Sequence, residues 1–286
     1  MKSYDIQKDC LLIRRMLKMT QTEFADAIEL SFATINRIEN GKHRPTNPII
    51  EKIYSYAYEN NLRINSVLSE ILQESFNCIY FHGAKNDIEG ELDLNHSDKN
   101  IDFGPGFYLG ESYKQASSFV SNDKNGSVYV FKLDERKLNT VSLEVDLDWM
   151  LAICYYRDTL KEAHRNSCYI QRLIKRIEEA DVIIAPIADN SMYEIITKFA
   201  QGKLTDVQAS HCLSASYLGK QHVIKSSKAL TNLKFVNRLY LCKQEKIDIL
   251  KGKVEEDKIA NTKVDACLIK YRREGKYIEE ILDEIN

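Results

Sequence analysis

Hydrophobic positions recur at helical spacing through the first part of the chain: Ile13 and Leu17, then Phe24, Ala25 and Ile28, then Ile35 and Ile38. Two brief polar interruptions separate them. Thr20-Gln-Thr-Glu23 has the form of a capping box, so a helix is predicted to start at Gln21. Ser31 can cap a third helix whose exit is set by Asn40-Gly41, and Thr46-Asn47-Pro48 opens a fourth with proline in the tolerated first turn. Ile64, Val67, Leu68 and Leu72 predict a fifth helix over 63–75. The period then changes. Ile79-Tyr80-Phe81 is a short aromatic-rich strand, broken off by His82-Gly83. Gly104-Pro105-Gly106 is a tight turn that delivers Phe107-Tyr108-Leu109 into a second strand.

Further on, 111–120 reads as a helix, and 127–133 alternates as a strand. Residues 147–178 are helical, with Trp149, Met150, Ile153 and Cys154, then Ile170, Leu173, Ile174 and Ile177, on apolar faces. Residues 181–186 form a buried strand ended by Pro186; helices follow around 191–201 and 205–213, and 221–226 is read as the last strand of this region. Residues 237–286 return to a helical pattern in which eleven Lys/Arg balance eleven Asp/Glu, so solvated helix faces are expected. The expected class is α+β: an all-α bundle over 1–75, a mixed α/β domain over 76–236 and a helical extension over 237–286.

Composition narrows the partners. The 286 residues carry a net charge of −2, which excludes a globally basic nucleic-acid coat and strong attraction to membranes. Seven scattered cysteines show neither CxxC nor CxxH spacing, so neither a metal site nor a disulfide framework is indicated, and reduced thiols in a cytoplasmic protein are expected. No apolar run is long enough to span a bilayer.

The stretch 78–110 holds most of the readable chemistry. It places an imidazole and a bare backbone, His82-Gly83, beside a second glycine-rich turn, Gly104-x-Gly106, followed by Tyr108. With the helix-like ESYKQASSF that comes next, this set resembles the diphtheria-toxin and poly(ADP-ribose)-polymerase branch of ADP-ribosyltransferases, whose core is a split β-sheet. The resemblance implies that NAD is the substrate, that no metal is needed, and that His82 holds the NAD ribose. It implies too that the Gly83 backbone pairs with the nicotinamide amide and that Tyr108 stacks on the ring, with Gly104 and Gly106 shaping the same turn. Phe119 stands at the spacing of a second stacking aromatic, although a helical phenylalanine is more often core. Polymerases of that branch have glutamate at the start of the last strand, where this chain has Gln221. An amide can grip a ribose hydroxyl but brings no charge, so single ADP-ribose transfer to an acceptor macromolecule is implied, as in a toxin, a defence effector or a self-regulating modifier. The alternative is a transcription regulator with an inactive NAD-sensing domain. Asp102 and Glu111 stand nearby as candidate carboxylates, whereas His96, His164, His211 and His222 have no partner at ligand or triad spacing.

The segment LIRRMLKMTQTEFADAIELSFATINRIENGKHRPT resembles phage-repressor-type helix-turn-helix domains. The resemblance puts Gln21 on a DNA phosphate, makes Phe32, Ala33 and Asn36 the base readers, and sets Arg37 and Lys42 near the backbone. It also implies binding as a homodimer. Glu29 replaces the usual turn glycine, and Phe32 and Ala33 replace polar readers. Residues 1–62 hold nine Lys/Arg against eight Asp/Glu, so charge alone leaves open a helical bundle that only docks onto protein.

Overall fold

The computed structural model describes residues 4–97 and 101–285. Its helices are α1 (Ile6–Met16), α2 (Gln21–Ala27), α3 (Phe32–Glu39), α4 (Asn47–Glu59), α5 (Ile64–Ser75), α6 (Tyr113–Val120), α7 (Leu147–Tyr156), α8 (Glu162–Arg165), α9 (Cys168–Glu178), α10 (Asn190–Ala200), α11 (Asp206–Ala215), α12 (Ser227–Thr231), α13 (Lys243–Lys270) and α14 (Ile278–Ile285). The strands are β1 (Ile79–Ala84), β2 (Phe107–Gly110), β3 (Ser127–Leu133), β4 (Thr140–Ser142), β5 (Val182–Pro186), β6 (Lys220–Ile224) and β7 (Leu233–Tyr240). They form one mixed sheet in the order β4-β5-β6-β2-β1-β3-β7. The fold is α+β, with a helical bundle at the N-terminus and helices at the C-terminus. Among the described residues no helix is long and apolar enough to cross a membrane.

Two compact units share the chain. The first comprises 1–91, 112–132 and 234–253; the second 92–111, 133–233 and 254–286. In the first, Ile13, Phe24, Ile35, Ile38, Ile53 and Tyr54 form the core of the N-terminal bundle. Thr20 and Glu23 complete the capping box, Ser31 caps α3, and Pro48 lies in the first turn of α4. Glu29 has φ +54°, the left-handed conformation for which related turns use glycine. The antiparallel pair β1–β3 sets His82 opposite Tyr129 and Gly83 opposite Val128. Strand β1 therefore continues through His82-Gly83 to Ala84, beyond the break expected from sequence.

In the second unit, β4 pairs in parallel with β5, and β5 and β2 each pair antiparallel with β6. Helix α7 buries Trp149 through Cys154 without interruption, as a helix enclosed by its core must. Three expectations are corrected. The strand at 221–226 is not the last, since β7 follows it and includes residues assigned to the helical extension. Strand β4 carries no strong pattern and was not expected. The C-terminal helices are not merely solvated: Ile278, Ile281 and Leu282 of α14 join the core of the second unit, and Glu245 of α13 is buried in the first.

Candidate functional site

Seen from the first unit, His82 is half-buried in β1 on the face that carries Tyr80, Ala84 and the partner-strand residues Tyr129 and Phe131. Gly83 turns to the opposite face, where α6 crosses. A Cβ there would lie 2.4 Å from the Ala116 carbonyl oxygen, so helix packing alone demands glycine at this position. Helix α6 buries Tyr113, Ala116, Ser117 and Val120. That stripe turns Phe119 outward: it is 71% exposed, with the Lys85 ammonium 5.9 Å from its ring centre. The core reading of Phe119 is thereby corrected.

The second unit holds the other residues singled out from sequence. Gly104 has φ +67° in the turn before β2. Tyr108 closes that turn on itself, its hydroxyl donating to the Gly104 carbonyl at 2.7 Å and accepting from the Phe103 amide at 3.2 Å. Burial, the largest influence, pushes the Tyr108 phenol well above its ordinary value, so it remains a donor. The Gly106 amide donates to Ser97 Oγ at 2.9 Å. Lys225, which sequence reading passed over, donates to the Phe103 carbonyl at 2.7 Å and the Pro105 carbonyl at 2.6 Å, and so clamps the turn from outside.

The β2–β6 register sets Tyr108 opposite Val223 and Gly110 opposite Gln221. Tyr108 and Gln221 therefore share one face of the ladder, at successive same-face positions, and on the β2 side no side chain stands across from Gln221. Gln221 is buried. Its Nε2 donates to Asp102 Oδ2 at 2.8 Å and to the Pro186 carbonyl at 3.1 Å. Asp102 is ion-paired with Arg157 and accepts from the Ala188 amide at 3.4 Å. Arg157 also reaches the Ala188 carbonyl at 3.3 Å and lies 4.2 Å over the Tyr193 ring. Of the two candidate carboxylates, Asp102 thus meets Gln221. Glu111 goes to the other face, where its Oε1 is 3.2 Å from His222 Nε2, with Glu135 3.5 Å from Nδ1. Burial, the largest influence, pushes the His222 imidazole below its ordinary value despite both carboxylates. Those partners are remote in sequence, which is why spacing could not find them. His211 stacks on Tyr271, with ring centres 3.7 Å apart, while the His96 side chain lies outside the described set.

The helix-turn-helix presents Phe32, Ala33, Arg37 and Lys42 to solvent, with Asn36 half-buried. Gln21 donates to Glu39 Oε2 at 2.6 Å and accepts from Asn36 Nδ2 at 3.1 Å. Arg14 grips the same Glu39 through two nitrogens, at 2.6 and 2.9 Å. Burial raises the Glu39 carboxyl, but the bonds from Arg14 and Gln21 together outweigh it and hold the group below its ordinary value. The start of α2 and the end of α3 are thereby locked to α1.

Comparison with known proteins divides the chain in the same order. Residues 12–54 match a family described as helix-turn-helix, and 78–235 match one described as a protein of unknown function, DUF3990. No curated protein and no solved structure matches. The second match covers more than half of the 286 residues and includes His82, Tyr108 and Gln221, so the chain belongs to the DUF3990 family, here joined to an N-terminal helix-turn-helix domain.

Proposed function

We propose that the region matched by the DUF3990 family transfers single ADP-ribose units from NAD to an acceptor macromolecule, and that the helix-turn-helix brings the chain to DNA. In this reading the bond between nicotinamide and C1′ of its ribose breaks. Nicotinamide leaves with the electron pair, and an acceptor nucleophile bonds C1′ and gives up its proton. His82 holds the ribose, the Gly83 backbone meets the nicotinamide amide, Tyr108 and Phe119 offer ring faces, and Gln221 bonds a ribose hydroxyl. The observation that supports it most is the placement of Tyr108 and Gln221 on one face of the β2–β6 ladder, with Gly110 leaving the position across from Gln221 bare.

A regulator that only senses NAD is the second reading. It is favoured by the absence of an ionisable group at position 221 and by the commitment of the Gln221 nitrogen to Asp102 and Pro186. Nicotinamide release from NAD separates the two: the transfer reading requires release by the natural sequence, and the sensor reading requires binding without it. In either case His82→Ala and Tyr108→Ala should each weaken NAD binding by about 1–3 kcal/mol in calorimetry, the value of a lost hydrogen bond or ring stack. Unchanged affinity in both variants removes NAD as the ligand.

A further inference from the structure

The orientation of the Gln221 amide is fixed by chemistry. Both groups beside its nitrogen are acceptors only, the carboxylate of Asp102 at 2.8 Å and the carbonyl of Pro186 at 3.1 Å. Turning the amide over would press Oε1 against two other oxygens. The nitrogen must therefore face Asp102, and Oε1 must face away from it. The anchor is itself held, since Asp102 is buried, paired with Arg157 and bonded by the Ala188 amide. A free glutamine offers a donor and an acceptor interchangeably; this one is left offering an acceptor.

We infer that Asp102 is a positioning residue that presents Gln221 as a hydrogen-bond acceptor for a ligand hydroxyl, in place of the carboxylate found there in the polymerases this region resembles. If the transfer reading holds, that hydroxyl belongs to the nicotinamide ribose, and the inference rests on that reading for its ligand but not for its geometry. The negative charge missing from position 221 lies one hydrogen bond behind it, on Asp102. A carboxylate bonded to the amide N–H polarises the amide and strengthens its oxygen as an acceptor.

Gln221→Glu would set a second carboxylate at hydrogen-bond distance from Asp102 in a buried place, so it should harm the protein. The test is a cycle of four proteins: the natural chain, Gln221→Glu, Asp102→Asn and the double variant, each measured for thermal midpoint and for nicotinamide release. Gln221→Glu should melt earlier and release nicotinamide at least tenfold more slowly. Lowering the pH should recover its stability, because the added carboxyl can then donate a proton to Asp102. Asp102→Asn should lower kcat with little change in KM, because the amide at 221 is then free to turn. The double variant restores donor facing acceptor between positions 102 and 221, though not toward the Pro186 carbonyl, and should recover part of both losses.

If Gln221→Glu fails to fold and the double variant folds, the pairing is supported. A double variant no better than Gln221→Glu, or a Gln221→Glu protein as stable and active as the natural chain, overturns the inference. Should the natural chain release no nicotinamide, the transfer reading falls on its own, and the melting cycle still decides whether Asp102 orients Gln221.

Discussion

Lys225 shows how much one side chain can contribute to a turn. Its ammonium spans two carbonyls of the loop before β2 and lies 5.7 Å from the Tyr156 ring centre. Burial pulls its pKa down to about 8, and the Glu178 carboxylate, acting the other way, only partly offsets that. An unfolded lysine keeps its proton to about 10.5. Between those values the unfolded chain binds more protons than the folded one, so this residue makes stability rise with pH from about 8 to 10.5; below 8 that gain is absent. After discounting for partial exposure, the effect is on the order of 1–2 kcal/mol. Urea denaturation across that range should show the rise in the natural chain and its loss in Lys225→Met; an identical rise in both would assign it to another group. Sequence could not point to Lys225, because its partners are backbone carbonyls, which leave no side-chain signature. It did bring forward Tyr108 and Gln221, whose shared face follows from strand alternation once the register is known. Asp102 was visible as a carboxylate, but the buried bonds that join it to Gln221 and Arg157 come only from tertiary packing.

At the scale of elements, α2 and α3 were legible almost to the residue, because caps are local: a hydroxyl three positions ahead of its amide can be read from the chain alone. Strand β7 was not, since Lys234, Asn237 and Arg238 interrupt its apolar pattern and its stability comes from the neighbouring strand. The same contrast applies to β1, where glycine reads as a break until the crossing helix is seen. For the helix-turn-helix pair, the exposed start of α3 offers Phe32 and Ala33, which can read thymine methyls but cannot make bidentate contacts to guanine. With few cations nearby, binding should be weak, salt-sensitive and stronger in a dimer. Mobility shifts on DNA from the region upstream of the gene, taken across a salt series, should show affinity falling steeply with salt. Arg37→Ala should lower the salt slope by about one if Arg37 meets a phosphate. No shift at the lowest salt would make the bundle a protein-docking module.

At the scale of the whole molecule, the first unit gathers three separate stretches of chain, and a buried carboxylate, Glu245, stands at their junction with the half-buried Glu51 beside it. Glu245 of α13 accepts from Tyr113 of α6 at 2.7 Å and from Asn65 of α5 at 2.8 Å, and Asn65 also donates to the Tyr240 carbonyl at the end of β7. Glu51 of α4 accepts from the Tyr240 hydroxyl at 2.7 Å and from the Lys243 amide at 2.9 Å, so the N-terminal bundle is fastened to the same corner without any flexible linker. Within the bundle, Asp9 takes a hydrogen bond from Tyr54. Burial is the largest influence on both acids, raising Glu245 to about 7 and Asp9 to about 6 against the pull of their hydrogen bonds. A raised acid binds its proton more tightly in the folded state. Its contribution is therefore fully present below the unfolded pKa, about 4.5 for Glu245, and is gone once pH has passed the folded value. The loss for Glu245 is on the order of 3 kcal/mol; Asp9 is half ionised at about pH 6 and about nine-tenths ionised at pH 7, so the larger part of any decline between 6 and 7 belongs to Glu245. Denaturation at closely spaced pH should show stability declining through that interval. Glu245→Gln, which keeps an acceptor for Tyr113 and cannot ionise, should remove most of the decline and be the more stable protein at pH 8. A natural chain with no decline from 6 to 7, or a variant that declines equally, would mean that Glu245 is not buried as an acid at this junction.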